Sequence, residues 1–167
     1  MQILIHDASC LIDLISVELL ELALELPYRM EMPDLVQNEI RCATQYNVIQ
    51  KMIDRQKLHV IRSSQNEIND IAELNNRIPK LSFADCSVLY HASLRCAIIL
   101  SGDAHLRKTA EQQGIPVHGT LWFLKKLVDQ AKLKTADAVV ILERLNKINP
   151  RLPQPEIQRL LNSWQNQ

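Results

Sequence analysis

Glycine and phenylalanine are scarce: this chain of 167 residues has three of the first and two of the second, and aromatic residues make up only 4% of it. Few glycines mean no phosphate-cradling loop. A Rossmann cofactor site needs glycines after its first strand, where Ala8-Ser9-Cys10 stands instead. Few aromatics mean no ladder for stacking bases, so no base preference is legible. The four cysteines, Cys10, Cys42, Cys86 and Cys96, form no C-x-x-C pair and no zinc-type spacing, and read as reduced core residues. No apolar run reaches the about 18 residues that a membrane span needs, and no basic, apolar leader opens the chain, so a cytoplasmic protein is expected. The net charge of zero excludes an overall electrostatic preference for nucleic acid.

The charge is unevenly spread, however. Residues 1–80 carry 8 Lys and Arg against 12 Asp and Glu, and residues 81–167 carry 11 against 7. The basic excess gathers around Arg107, Lys108, Lys125, Lys126, Lys132 and Lys134, a candidate phosphate-facing patch. Its bland counterpart is ordinary solvated helix faces, with Arg107 and Lys108 pairing to Glu111 at helical spacing.

Apolar runs and their punctuation predict a strand at 2–6 (QILIH) and a helix over 10–25. Glu18, Glu21 and Glu25 form a narrow polar face on that helix. The wide remaining arc predicts a second buried face, as in a dimer. An alternating strand at 28–32 (YRMEM) is followed by a helix opened by Pro33 and running through DLVQNEIRC. A helix at 44–56, a strand at 58–61 and a helix from Ser63 to Arg77 come next. The pattern continues with a helix at 82–95, a strand at 96–100 (CAIIL), a helix at 104–113 closed by Gly114, and a short strand at 115–117. This alternation implies an α/β fold, a largely parallel sheet between two helical layers. Residues 119–167 read as all-helical, with Thr120 capping the LWFLKKL helix and a last helix around 156–164. The expected division is a domain over 1–130 and a helical C-terminal extension over 131–167 packed on the same domain.

Ligands of an open parallel sheet bind outside the carboxyl ends of its strands. Asp7 directly follows the first strand, Asp103 follows CAIIL-SG, and Asp85 sits in the first turn of a helix that starts at that same edge. Glu39 falls about two turns into its helix, roughly 9 Å along at 1.5 Å per residue. Each acid has a dull role: Asp7 and Asp103 as helix caps, Asp85 in a Ser82 capping box, Glu39 in solvent. Together, four carboxylates on one rim repel one another unless a cation neutralises them. Oxygen donors on an open rim suit Mg2+ or Mn2+, and hence metal-assisted phosphoryl chemistry.

The strings D-A-S-x-L-I-D-L after the first strand, M-P-x-x-V-x-x-E-I at 32–40, L-S-x-x-D at 81–85 and L-S-G-D-x-x-L-R-K-x-A-E-x-x-G-I-P-V-H-G-T at 100–120 resemble PIN-domain nucleases. Their order is similar to the VapC-like toxin branch and its relatives with a helical C-terminal tail. The resemblance implies a three-layer α/β/α sandwich and a Mg2+- or Mn2+-dependent endoribonuclease. It implies Asp7, Glu39, Asp85 and Asp103 as the catalytic and metal-binding set, with Ser9 supporting it. It also implies a homodimer, an RNA substrate and, for toxins, a small antitoxin protein that blocks the groove. Arg107, Lys108, Lys125 and Lys126 are the candidate phosphate contacts. His105 stands where some relatives carry a further acid or asparagine.

Other chemistries fit less well. A phosphatase of the haloacid dehalogenase type wants an acid at Ser9, and a phosphoacceptor receiver wants an acidic pair where His6-Asp7 stands. A non-enzymatic alternative is a catalytically inactive PIN-like module that binds nucleic acid or a protein partner. His6 reads as a packed core histidine, His118 as part of the turn before Thr120, and Asp13 as a structural acid inside its helix.

Overall fold

The computed structural model describes residues 1–165. In chain order the elements are β1 (Ile3–His6), α1 (Ala8–Ser16), α2 (Leu20–Ala23), β2 (Arg29–Pro33), α3 (Asp34–Gln37), α4 (Ala43–Asp54) and β3 (His59–Ile61). After them come α5 (Gln65–Arg77), α6 (Phe83–Arg95), β4 (Ile98–Leu100), α7 (Ala104–Gln112), β5 (Val117–His118), α8 (Thr120–Asp129), α9 (Thr135–Ile148) and α10 (Gln154–Gln165).

The five strands form one parallel sheet in the order β3-β2-β1-β4-β5. From β1 the chain steps outward through β2 to β3, then returns to the other side of β1 for β4 and β5. The order therefore reverses between β1 and β4, where the flanking connections diverge and leave a crevice at the carboxyl edge. One face carries α1 against α4 and α8, with α9 and α10 packed outside; the other carries α6 against β1, β2 and β4, flanked by α5 and α7. This is the expected three-layer α/β sandwich with C-terminal helices. Because the sheet is covered on both faces, β1 and β4 are nearly continuous apolar runs. For the same reason β2 is buried from Met30 to Pro33 rather than alternating, and Glu31 is sunk in the interior beside Arg29 and Arg95.

Several boundaries differ from the expected ones, and scarce glycine explains the first. The helix expected over 10–25 breaks after Ser16. Leu19 N–H bonds Leu14 C=O at 2.8 Å and Glu18 N–H bonds Ile15 C=O at 3.0 Å, with Glu18 in the left-handed region at φ 61°. That is a Schellman stop built without the usual glycine. Gln56, Cys96 and Ala131 also take positive φ, while Gly114, at φ 71°, is in the expected place. The left-handed Cys96 shortens the strand expected at 96–100. The helix expected from Pro33 lasts one turn, Asp34–Gln37, so Glu39 lies in the turn that follows rather than two turns along a helix. Gly119 occupies the N-cap of α8, and the Thr120 hydroxyl, instead of capping it, donates to Asp13 at 2.7 Å.

Within the chain the broad apolar arc of α1 packs against α4, α8 and α9, with Ile12 and Ile15 left half-buried. Asp13 is the polar anchor of this packing. Buried, it accepts from Thr120 and, on both of its oxygens, from Asn149 Nδ2 at 3.1 Å, tying α1 to α8 and to the start of the α9–α10 connection. Burial raises its carboxyl, and the Thr120 and Asn149 hydrogen bonds partly offset that rise. His6 is fully buried, stacked 5.6 Å from Phe123 with an interplanar angle of 18° and bonded through Nε2 to Met30 Sδ. Desolvation lowers its pKa to about 3, so it is a neutral core residue. No helix among the described residues is long and apolar enough to cross a membrane.

Candidate active site

Asp7 is where β1 hands the chain to α1, and its backbone N–H donates to Leu100 C=O of β4 at 2.9 Å. It holds the N-cap position of α1, yet its side chain makes no cap hydrogen bond. Instead Oδ2 accepts two short hydrogen bonds, from Ser9 Oγ and from Ser101 Oγ, both at 2.7 Å. The other oxygen accepts none among the described residues. A carboxylate that is 5% exposed and caps no backbone amide of its helix is an expensive residue to keep for stability alone.

The two serines extend the network along the β4 end. Ser101, fully buried, also accepts from Asp103 N–H at 3.0 Å, and Ser9 Oγ accepts from Gly102 N–H at 2.9 Å. Two hydroxyls thus lock the strand ends on either side of the crevice and aim the Asp7 carboxylate between them. Asp103 caps α7, Oδ1 accepting from Leu106 N–H at 2.8 Å. Asp85 completes the capping box of α6, Oδ2 accepting from Ser82 N–H at 2.9 Å while Ser82 Oγ accepts from Asp85 N–H. The dull roles therefore hold for Asp85 and Asp103, each spending one oxygen, and fail for Asp7.

The acids feel one another. Burial raises the Asp85 carboxyl above its ordinary range, and the charges of Asp7 and Asp103 add to the rise against the Ser82 hydrogen bonds. Glu39, exposed overall, is raised by partial desolvation and then by Asp85 and Asp7. None of these four carboxylates is in an ion pair with a lysine or arginine among the described residues. The rim is a patch of negative charge around Asp7, offset in part by Arg41 near Glu39.

Beside it opens a cleft of about 880 Å3 that starts at Ser9, Ser101 and Asp103 and runs between α7, the β5–α8 corner and the α9–α10 connection. Arg107 and Lys108 line it and do not pair with Glu111, which also lines it; Arg107 Nη1 is held by Ser101 C=O at 3.2 Å. Lys125 and Lys126 do not line it: Lys125 pairs with Asp129 at 2.6 Å, and Lys126 lies 5.4 Å over the ring of Trp122, which does. His105 is exposed at the mouth. His118 is the last residue of β5, stacked 4.7 Å from Trp122 with an interplanar angle of 6°.

A family model described as a PIN domain matches residues 3–166. The chain belongs to the PIN-domain family. No curated protein matches it. The match takes in the helical extension as well as the sheet, and it reaches one residue past those described. PIN domains are generally nucleases and typically use divalent metals, so this PIN domain has to be asked whether its rim suits such an ion. The donors are carboxylates and hydroxyls, the hard oxygens that Mg2+ and Mn2+ prefer. No three His, Cys, Asp or Glu side chains among the described residues gather closely enough to enclose an ion.

Ser101 does not stand out in the sequence, although the string L-S-G-D contains it. Its signal is positional: a hydroxyl two residues before Asp103 mirrors Ser9 two residues after Asp7. Arg151 in the α9–α10 connection has no such signal, because only folding brings it across from Arg107 to line the same cleft.

Proposed function

We propose that the chain is a divalent-metal-dependent endoribonuclease hydrolysing RNA phosphodiesters at the Asp7 rim. The supporting observation is Asp7 itself: buried at the reversal of strand order, oriented by two serine hydroxyls, and without a cation or a capping duty. Asp7, with Asp85, Asp103 and Glu39 around it, would hold Mg2+ or Mn2+, which supplies Lewis-acid polarisation of a phosphodiester oxygen. Ser9 and Ser101 fix the orientation of Asp7 by donating to one of its oxygens. The carboxyls of Asp85 and Glu39, both raised by burial and by the neighbouring acids, would hold a proton more readily than an ordinary carboxylate. Arg107 and Lys108 offer unpaired charge for the phosphate chain that the acids would otherwise repel.

Within this reading we place the chain in the VapC-like branch, a cytoplasmic homodimeric toxin whose small antitoxin covers the groove; the motif order supports that placement. Residues 1–130 form the nuclease domain and 131–167 its extension, the last two of which lie outside the described residues. The test is incubation of purified protein with structured RNAs in magnesium or manganese, beside Asp7→Asn. Cleavage by the wild type, lost in Asp7→Asn and on chelation, is expected. Equal cleavage by the folded variant would assign the activity to a contaminant and leave a module that only binds. A small DNA-binding protein encoded next door, blocking cleavage when added, is the outcome expected of the toxin branch.

A further inference from the structure

We propose that the cleft walled by the C-terminal extension seats the single-stranded RNA segment adjoining the cleaved bond, Arg107 and Arg151 holding its phosphates and His118 meeting a base. The inference rests on the nuclease reading and adds a binding subsite and a task for the α9–α10 connection.

Continuity is the first reason. The cleft takes in Ser9, Ser101 and Asp103, the two serines that hold Asp7 and one acid of the rim, so a strand lying across Asp7 has the cleft beside it. Its volume, about 880 Å3, is within the roughly 300–1,000 Å3 of pockets that enclose small organic ligands, which leaves space for a nucleotide.

Charge is the second. Arg107 on one wall and Arg151 on the other line the same space together with Lys108 and the acids Asp103, Glu111 and Glu156, and neither arginine forms an ion pair among the described residues. Guanidinium groups suit phosphate because they present several donors in a fixed plane. Both are held from behind: Arg107 by Ser101 C=O, and the connection bearing Arg151 by Asn149 on buried Asp13 and by the buried Leu152. A wall tethered in this way loses little freedom when it binds.

The third reason is chemical type. The His118 ring is backed by Trp122, lines the cleft, and has no hydrogen-bond partner on either nitrogen among the described residues. Desolvation, then Arg107 and Lys126, lower its pKa, so at neutral pH it offers one donor and one acceptor. That pairing of capacities matches the edge of an unstacked base, the usual object of sequence reading in single-stranded RNA.

The experiment uses the full chain carrying Asp7→Asn, so that bound RNA is not cut, with short fluorescein-labelled homopolymeric oligoribonucleotides and fluorescence anisotropy across a salt series. Arg151→Glu should weaken binding by about tenfold and flatten the salt dependence by about 0.7 for each phosphate the protein no longer neutralises. Arg159→Glu, an equal charge reversal at an exposed position of α10 that does not line the cleft, should leave both unchanged. His118→Phe, which keeps a ring on Trp122, should alter the ranking of the homopolymers. With Asp7 restored, Arg151→Glu should raise KM and spare kcat. Equal weakening by Arg151→Glu and Arg159→Glu, or none by either, would overturn the cleft while cleavage by the wild type still upheld the nuclease. Binding that depends on Arg151 in a protein that cuts no RNA would uphold the cleft and sink the nuclease. Absence of binding to every oligonucleotide would overturn the cleft as an RNA site and leave it to a protein segment.

Discussion

Replacing Ser101 with alanine removes one oxygen with two partners. The hydroxyl donates to Asp7 Oδ2 at 2.7 Å and accepts from Asp103 N–H at 3.0 Å, and the side chain is fully buried. A hydrogen bond to a charged group contributes roughly 1.5–3 kcal/mol, and the Asp103 amide, close to solvent, recovers most of its share from water. The expected loss is therefore about 2–3 kcal/mol, or roughly 4–12 °C in Tm for a chain of this size. Ser9→Ala deletes a donor to the same Asp7 oxygen at the same distance, but Ser9 is half-buried, so water replaces it and about 1 kcal/mol is expected. Urea unfolding of the two variants measures both quantities. Metal-dependent cleavage should fall in the same order, because an Asp7 short of one donor is less firmly aimed. Ser101→Ala within about 0.5 kcal/mol of wild type, or less harmful than Ser9→Ala, would refute the claim that this buried pair positions the carboxylate.

Asp85 has a raised carboxyl, so its folded form holds a proton more tightly than the unfolded chain does; its contribution is complete at acid pH and is lost as pH rises through the raised value. Asp85→Asn keeps an acceptor for Ser82 N–H and removes the charge, so it should be more stable than wild type at neutral pH, with the gap closing in acid; a constant gap would rule out repulsion on the rim. His6 carries the opposite sign: with its pKa lowered to about 3, the folded state refuses a proton that the unfolded state accepts near pH ~6.5, and stability falls as pH drops between the two. His6→Leu should flatten that acid slope in unfolding titrations, and an unchanged slope would show that His6 is not its source. Asn149→Ala leaves Asp13 with Thr120 alone and should cost about 1.5–3 kcal/mol, while hastening tryptic cleavage at Lys147 and Arg151; unchanged proteolysis would mean that the connection is held by Leu152 instead. Phe123→Ala empties a fully buried site under His6 and should cost about 3–5 kcal/mol in urea unfolding.

Much of the fold was legible because it is written in local chemistry. The runs ILIH and IIL mark strands covered on both faces, Ser82 announces a capping box that forms, and Gly114 marks a helix end. Misreadings fall where that chemistry was absent. Glu18 stops α1 in a left-handed turn that no glycine advertises, and α3 ends after one turn although its residues favour more. In both places tertiary packing outweighs propensity, which is worth only tenths of a kcal/mol per residue.

The same division runs through the site. Sequence by itself determined which acids stand at strand ends and helix starts, since period and punctuation set those positions, and hence that Asp7, Asp85 and Asp103 share one edge. It could not say which of them was merely a cap, because a cap and a ligand have the same spelling. Only the tertiary structure decided that: the reversal of strand order between β1 and β4 brings Ser101 to Asp7, whose carboxylate caps no amide of α1, and the packing of the last helices brings Arg151 from the far end of the chain to the cleft of Arg107. Local sequence sets what a residue can do within a turn or two, and long-range packing sets what it is left free to do.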